Sequence, residues 1–248
     1  MGMGEDRVDV VVLTKNSERM LEPCLTSIYR NLPVNRLIVV DGYSTDHTLE
    51  IVDKFREKHG NVVVVEDGGT RGSARSKGIK LVETDWFVFV DSDVTLCFGW
   101  YGKAASYVND EVGAVWGVEI WDGVQKSAVL QLFLKVTRRI FDLRGGTHDL
   151  LVRTAAVRDI VIPDNLHVFE DAFITEYISK KGYNLVATYD PYCIHFRPPV
   201  VWTFKGSLDI ILDALRFASL KKLPRYFLAY GFYTVYVVHR NLFQRKLA

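Results

Sequence analysis

The chain has 248 residues, is 48% hydrophobic and carries a formal net charge of +1, which excludes a disordered chain and allows one large α/β domain, with or without an appendage. The balance hides an asymmetry: residues 1–199 hold 23 Lys and Arg against 28 Asp and Glu, whereas residues 200–248 hold 8 against 2. The first 199 residues therefore do not read as a nucleic-acid-binding surface, and the tail is a surface of another kind. Cys24, Cys97 and Cys193 are widely spaced and form no Cys-x-x-Cys pair, so neither a disulfide framework nor a zinc site is expected, and a reducing compartment is. The polar, acidic start from Met1 to Asp6 lacks the apolar region of a signal peptide, and a cytoplasmic location is the expectation.

Residues 8–13 form a Val-rich run that predicts a first buried strand, opening onto Thr14-Lys15-Asn16-Ser17-Glu18 and then a helix to about Tyr29. Residues 37–40 repeat the pattern and end at Asp41-Gly42-Tyr43-Ser44-Thr45-Asp46, after which Leu49, Val52 and Phe55 stand at helical spacing. Residues 61–65 predict a third strand. Alternation of strand and helix argues for a mainly parallel sheet with helices on both faces. The glycine-rich stretch 68–78 enters a helix with Arg71, Arg75 and Lys77 close by, a pattern suited either to a diphosphate or to a plain loop. It matches neither the Walker loop nor the Gly-x-Gly-x-x-Gly fingerprint, which weakens ATPase and NAD readings.

Residues 86–90 are a continuous apolar run that predicts a strand buried on both faces, and the run ends in Asp91-Ser92-Asp93. Two carboxylates at a strand's carboxyl end can hold Mg²⁺ or Mn²⁺ together with substrate phosphates; the plain alternative is an acidic turn. Residues 113–121 predict another strand, 124–143 a helix or helical pair, and Gly145-Gly146 a backbone able to approach a ligand. Phe169-Glu170-Asp171 opens a helix to about Lys181, and residues 185–188 predict a last strand leading to His195.

Taken in order, Thr14 to Glu18, Asp41 to Thr48, Gly72 to Gly78, the Asp91–Asp93 pair, Gly145-Gly146, Glu170-Asp171 and His195 resemble the inverting nucleotide-sugar glycosyltransferases of family 2, which have the GT-A fold. The resemblance covers roughly residues 7–197 and includes dolichyl-phosphate mannose synthase and polysaccharide synthases. It implies a domain over 1–199 in which Thr14, Glu18 and Asp41 hold base and ribose and Arg75 lies near the nucleotide or diphosphate. By the same resemblance, Asp91 faces ribose and metal, Asp93 and His195 ligate Mn²⁺ or Mg²⁺, and Asp171 is the general base. A GDP- or UDP-linked donor is implied, with GDP-mannose favoured. Two departures, Gly42-Tyr43 in place of an acid and a glycine and Lys15 at a commonly aromatic place, leave base and sugar open.

Asp91-Ser92-Asp93-Val94-Thr95 also matches phosphatases of the haloacid-dehalogenase type. Those place the motif on the first strand and need a lysine before a later acidic pair, and residues 158–170 contain none. A sugar-nucleotide-binding protein without catalysis would lack the base or a metal ligand, and Asp171, Asp93 and His195 are all present.

In the tail, residues 206–222 predict a helix with a broad apolar surface and a polar stripe of Asp209, Asp213 and Arg216. Residues 226–238 are apolar all round but too short to span a bilayer. With the flanking basic residues, the expectation for residues 200–248 is an amphipathic tail at an anionic membrane face, directing transfer to a lipid-linked or glycan acceptor; packing on the domain or on a second subunit is the alternative. The end of the chain also permits a longer native protein with membrane spans.

Overall fold

The computed structural model describes residues 7–121, 146–166, 168–196 and 204–221, with 223, 224, 227, 228 and 231 beyond them. The first half alternates as expected: β1 (Val8–Thr14), α1 (Glu18–Asn31), β2 (Val34–Asp41), α2 (Thr48–His59), β3 (Val62–Glu66), α3 (Arg71–Leu81) and β4 (Trp86–Asp91). Then follow β5 (Val94–Leu96), α4 (Trp100–Ala105), β6 (Val112–Trp121), β7 (Asp149–Arg153), α5 (Thr154–Val157), α6 (Glu170–Lys180), β8 (Asn184–His195) and α7 (Phe204–Phe217). The helix expected over 124–143 lies outside the described residues.

Eight strands form one sheet in the order β3-β2-β1-β4-β7-β6-β8-β5. β7 runs antiparallel to both β4 and β6, and β5 antiparallel to β8, so the other six share one direction. The mainly parallel sheet is thus as the alternation implied. Side chains alternate across it: Val8, Val10 and Val12 of β1 and Val88 and Val90 of β4 enter a core with α1, α2 and α4. Val11, Phe87 and Phe89 enter a second core with α3, α5, α6 and α7. This period-two division between two buried faces is why β4 reads as an unbroken apolar run.

The helices dock by stripes. Leu21, Cys24, Leu25 and Ile28 of α1 are fully buried at spacings of three and four, each large side chain stabilising the fold by roughly 1.5–3 kcal/mol. Asp9 is the buried charged residue of β1. It is fully buried but receives Arg36 Nη2 at 2.9 Å, Asn35 Nδ2 at 2.9 Å and the Glu83 N–H at 2.8 Å. All three cysteines are free and buried.

Two short elements, β5 and α4, escape sequence reading because three and six residues carry too little periodicity. β8 is also far longer than the four residues expected. It pairs with β6 in two stretches, Asn184–Ala187 and Tyr192–His195, separated by a register shift. At the shift, a Cβ on Gly117 would lie 2.4 Å from the Pro191 carbonyl oxygen, so only glycine lets the strands approach.

The tail helix α7 divides the apolar surface that the sequence shows as one. Ile210 and Ala214 are buried in the second core, and the Phe217 ring meets Phe173 edge-on at 5.5 Å. Leu208, Leu212 and Leu215, at i, i+4 and i+7, remain exposed. Part of the tail therefore packs on the domain. Among the described residues no helix is long and apolar enough to cross a membrane, and most of 226–238 lies outside them.

Candidate active site

Six strands pointing one way bring their carboxyl ends to a single rim, and β7, running the other way, begins there. Thr14, Asp41 and Asp91 close β1, β2 and β4, Asp149 opens β7 and His195 closes β8. β5 completes the rim: its antiparallel pairing sets Val94 opposite His195, and the Phe196 N–H donates to the Asp93 carbonyl at 2.9 Å. A residue near the end of the chain is thereby tied beside the Asp pair.

His195 Nε2 lies 3.1 Å from Asp93 Oδ1, and its Nδ1 lies 2.8 Å from Glu119 Oε1. Burial pushes the imidazole pKa down, but the hydrogen bonds and charges of Asp93 and Glu119 outweigh it and raise it to about 9. Asp91 faces the opposite balance. Burial favours the neutral acid, yet Arg75 prevails and holds the carboxyl at about 2. Arg75 itself is only 3% exposed; its Nη2 reaches Asp91 Oδ1 and Thr147 Oγ1, each at 2.5 Å, and its guanidinium lies 4.8 Å over the Phe89 ring. Its Nε and Nη1 are buried without a hydrogen-bond partner.

Two of these residues fit a divalent cation. Asp93 and His195 offer a carboxylate and an imidazole whose donor atoms, 3.1 Å apart, match neighbouring ligands of an ion with bonds of about 2.1 Å, while Asp91 is held by Arg75. A second cluster, His148, Asp149 and Cys193, has donor atoms within 4.8 Å of one another. There Asp149 accepts from Trp100 Nε1 and the Gly117 N–H, and burial holds the Cys193 thiol well above its usual pKa, so hydrogen bonds already satisfy that knot.

The sequence-assigned nucleoside residues are brought together as a brace. Thr14 Oγ1 donates to Asp41 Oδ1 at 2.7 Å, and Asp41, fully buried, also receives the Ser44 N–H at 2.7 Å and its hydroxyl at 2.6 Å. Glu18, at the cleft surface, accepts from the His47 N–H at 3.0 Å and pairs with His47 Nδ1 at 2.7 Å. Tyr43 stands where the related pattern has glycine and takes the left-handed φ of 58° that glycine would favour. Its ring lies against Gly68, where a Cβ would approach within 2.5 Å.

The glycine-rich stretch does less than its sequence invites. The Gly72 N–H donates to the Leu166 carbonyl at 3.0 Å, and Thr70 caps α3 by receiving the Ser73 and Ala74 N–H groups at 3.1 and 3.0 Å. Those first-turn donors are occupied. Gly72 instead makes room for Ile162 and Leu166, which carry the chain over α3 towards Glu170-Asp171 at the start of α6. Glu170 is buried, and its pKa is raised by that burial and by the charge of Asp171, while Arg75 and Arg71 pull it down. Asp171 is partly exposed, and its Oδ1 accepts the Ala172 N–H at 2.6 Å.

Sequence reading missed Glu119 and His148. Glu119 sits within an apolar strand segment with no motif around it. His148 follows the Gly145-Gly146 pair expected to admit a ligand; in the fold, Gly146 admits the His148 ring, which a Cβ there would meet at 2.4 Å. The Asp pair stands on the fourth strand in chain order, not on the first strand where the phosphatase arrangement has it.

Known proteins share this architecture. A mannosyltransferase from Pyrobaculum calidifontis, solved with GDP-Man and Mn²⁺, superposes with a TM-score of 0.71 at 18% identity, covering 94% of this chain and 73% of its own. The poly(ribitol-phosphate) beta-glucosyltransferase of Bacillus spizizenii is 26% identical over 244 residues, which is 87% of this chain and 38% of that protein. The Staphylococcus aureus poly(ribitol-phosphate) beta-N-acetylglucosaminyltransferase TarS is 30% identical over 183 residues, 68% of this chain and 32% of its own. The chain thus spans about a third of the length of these curated relatives. The family model for glycosyl transferase family 2 matches residues 9–153, from the strand before Thr14 through the Asp pair to the end of β7, and by that match the chain belongs to this family.

Proposed function

We propose that the protein transfers a hexose from a nucleotide-sugar to an acceptor oxygen, with inversion, using a divalent cation held by Asp91, Asp93 and His195. The observation that carries this reading is the meeting of His195 with Asp93 at one sheet rim; Arg75, which pairs with Asp91, also acts on Glu170, the neighbour of Asp171. A cation bound there offsets the charge that grows on the leaving diphosphate. Thr14, Glu18 and Asp41 shape the seat for base and ribose, with Asp41 holding the turn that follows β2. Arg75 fixes Asp91 and brings its positive charge near the diphosphate. Asp171 takes the proton of the attacking acceptor hydroxyl.

GDP-mannose is the donor favoured by the resemblance. UDP-linked hexoses are the second reading, supported by the TarS structure with UDP-GlcNAc. Calorimetric titration of GDP, UDP and their sugars, with Mn²⁺ and with a chelator, tests both. Affinity is expected to collapse with the chelator for one nucleotide series; equal affinity in both conditions would overturn the cation-bridged reading.

The acceptor reading is a lipid-linked or glycan substrate at an anionic membrane face. Its support is the exposed Leu208, Leu212 and Leu215 stripe of α7, in a tail with 8 basic against 2 acidic residues. The full chain is expected to float with anionic vesicles, less so in high salt, because salt screens exposed charge. A chain with all three leucines changed to serine should stay in the unbound fraction. Equal behaviour of the two chains would remove α7 from membrane attachment and reopen the acceptor question.

A further inference from the structure

We infer that Glu119 is a positioning residue for the cation face: it fixes the ring plane and tautomer of His195, so that Nε2 is presented beside Asp93, and is itself held in place through His148 and Asp149. The inference rests on the reading of Asp93 and His195 as cation ligands and extends it to residues outside any strand-end motif.

The argument starts from donors that cannot reverse. Trp100 Nε1–H and the Gly117 N–H only donate, and both point at Asp149 Oδ2, at 3.0 and 3.2 Å. Asp149 is fully buried, and its Oδ1 lies 2.8 Å from His148 Nδ1. An ionised carboxylate only accepts, so that ring nitrogen carries its hydrogen towards Asp149. The His148 ring is confined, with Gly146 against one side and Cys193 Sγ 3.6 Å from Nδ1. Its Nε2 therefore faces Glu119 Oε2 at 3.7 Å, too far for a hydrogen bond, and the ring closes that side of the carboxylate.

Glu119 lies between two imidazoles. The pairing of β6 with β8 sets Glu119 opposite Cys193 and Trp121 opposite His195, which makes Glu119 and His195 diagonal neighbours on one face. Glu119 Oε1 is 2.8 Å from His195 Nδ1 and accepts its hydrogen. With Nδ1 committed as donor, Nε2 is the nitrogen left to face Asp93, 3.1 Å away, and it is the one whose lone pair can ligate. Carboxylates that orient a ligating histidine in this way typically change metal affinity about 10–100-fold when removed.

The test uses the full chain and Mn²⁺ alone, titrated by electron paramagnetic resonance without nucleotide. Glu119→Gln, close in shape but able to present either amide atom to Nδ1, is expected to weaken Mn²⁺ binding about 10–100-fold. Nucleotide affinity in chelator should not move. In ¹⁵N spectra of the Mg²⁺-loaded protein, the wild-type His195 should show hydrogen on Nδ1 alone, and the variant a mixture. A purely structural role would shift the melting temperature but neither the tautomer nor the Mn²⁺ affinity of the folded protein. If Glu119→Gln does not fold, His148→Asn keeps a donor towards Asp149 and removes the ring that backs Glu119; it should weaken Mn²⁺ binding by a smaller factor, and wild-type affinity there would overturn the inference. Should His195→Ala lose Mn²⁺ binding while Glu119→Gln retains it, the positioning role fails and the cation reading stands. Should neither His195→Ala nor Glu119→Gln alter Mn²⁺ binding, the cation reading itself fails.

Discussion

Replacing Asp171 with asparagine is expected to lower transfer about 10²–10⁴-fold while nucleotide affinity stays at the wild-type level. The expectation follows from the unequal environments of the acidic pair that opens α6. Glu170 is buried, and its ionisation is opposed first by that burial and then by the neighbouring charge of Asp171. Asp171 is partly exposed. A base that touches the acceptor and not the donor contributes only in the transition state, so its loss should fall on kcat and kcat/KM together. Steady-state kinetics beside calorimetry separates the two effects. An unchanged kcat would remove Asp171 from the role and would point to an acceptor phosphate, whose oxygen needs no base.

Asp91→Asn should harm the protein twice. On the proposed reading it removes one carboxylate from the cation site, and it leaves the 3% exposed Arg75 guanidinium without the anion that pairs with it at 2.5 Å. Breaking a fully buried pair by removing one partner costs about 3–5 kcal/mol; Asp91 is 30% exposed, so a smaller but clear loss of stability is expected in denaturant unfolding, together with the loss of Mn²⁺-dependent nucleotide binding. Asp93→Asn is the contrast. Its side chain is 37% exposed, and its loss should abolish cation-dependent binding with far less effect on unfolding. Adding Arg75→Met to Asp91→Asn should recover stability but not binding, because the unpaired charge is then gone. The sign with pH is fixed by Asp91, whose folded pKa, about 2, lies below the unfolded carboxylate value of about 3.9. Its contribution is fully present above the unfolded value and is lost as pH falls towards 2. Equal stability of the Asp91→Asn and wild-type proteins would show that Arg75 finds another counter-charge.

Much of this organisation was legible without coordinates because it is written locally. An apolar run ending in a carboxylate marks both the strand and the rim it reaches, so Thr14, Asp41 and Asp91 could be assigned to one edge of a mainly parallel sheet from their own neighbours. The helix starting at Glu170 announces itself by acids in a first turn. The glycine-rich stretch left a diphosphate site and a plain loop equally open for the same local reason: free N–H groups are the default at a helix start, and nothing nearby in sequence says that the carbonyl of Leu166 and the side chain of Thr70 receive two of them.

The sequence by itself determined the alternation of strand and helix, the edge where polar residues gather and the two apolar faces of the sheet, since each depends on periodicity over a few residues. Only the tertiary structure decided that β5 pairs with the end of β8, so that His195 meets Asp93, and that Glu119, in an apolar strand, stands between two histidines. It alone divided the apolar surface of α7 into a docked stripe and an exposed one. A three-residue strand has almost no pattern of its own, and a lone carboxylate on a strand takes its meaning from the strand laid beside it. Such partners are chosen by how distant segments close the sheet, which no window of neighbouring residues contains.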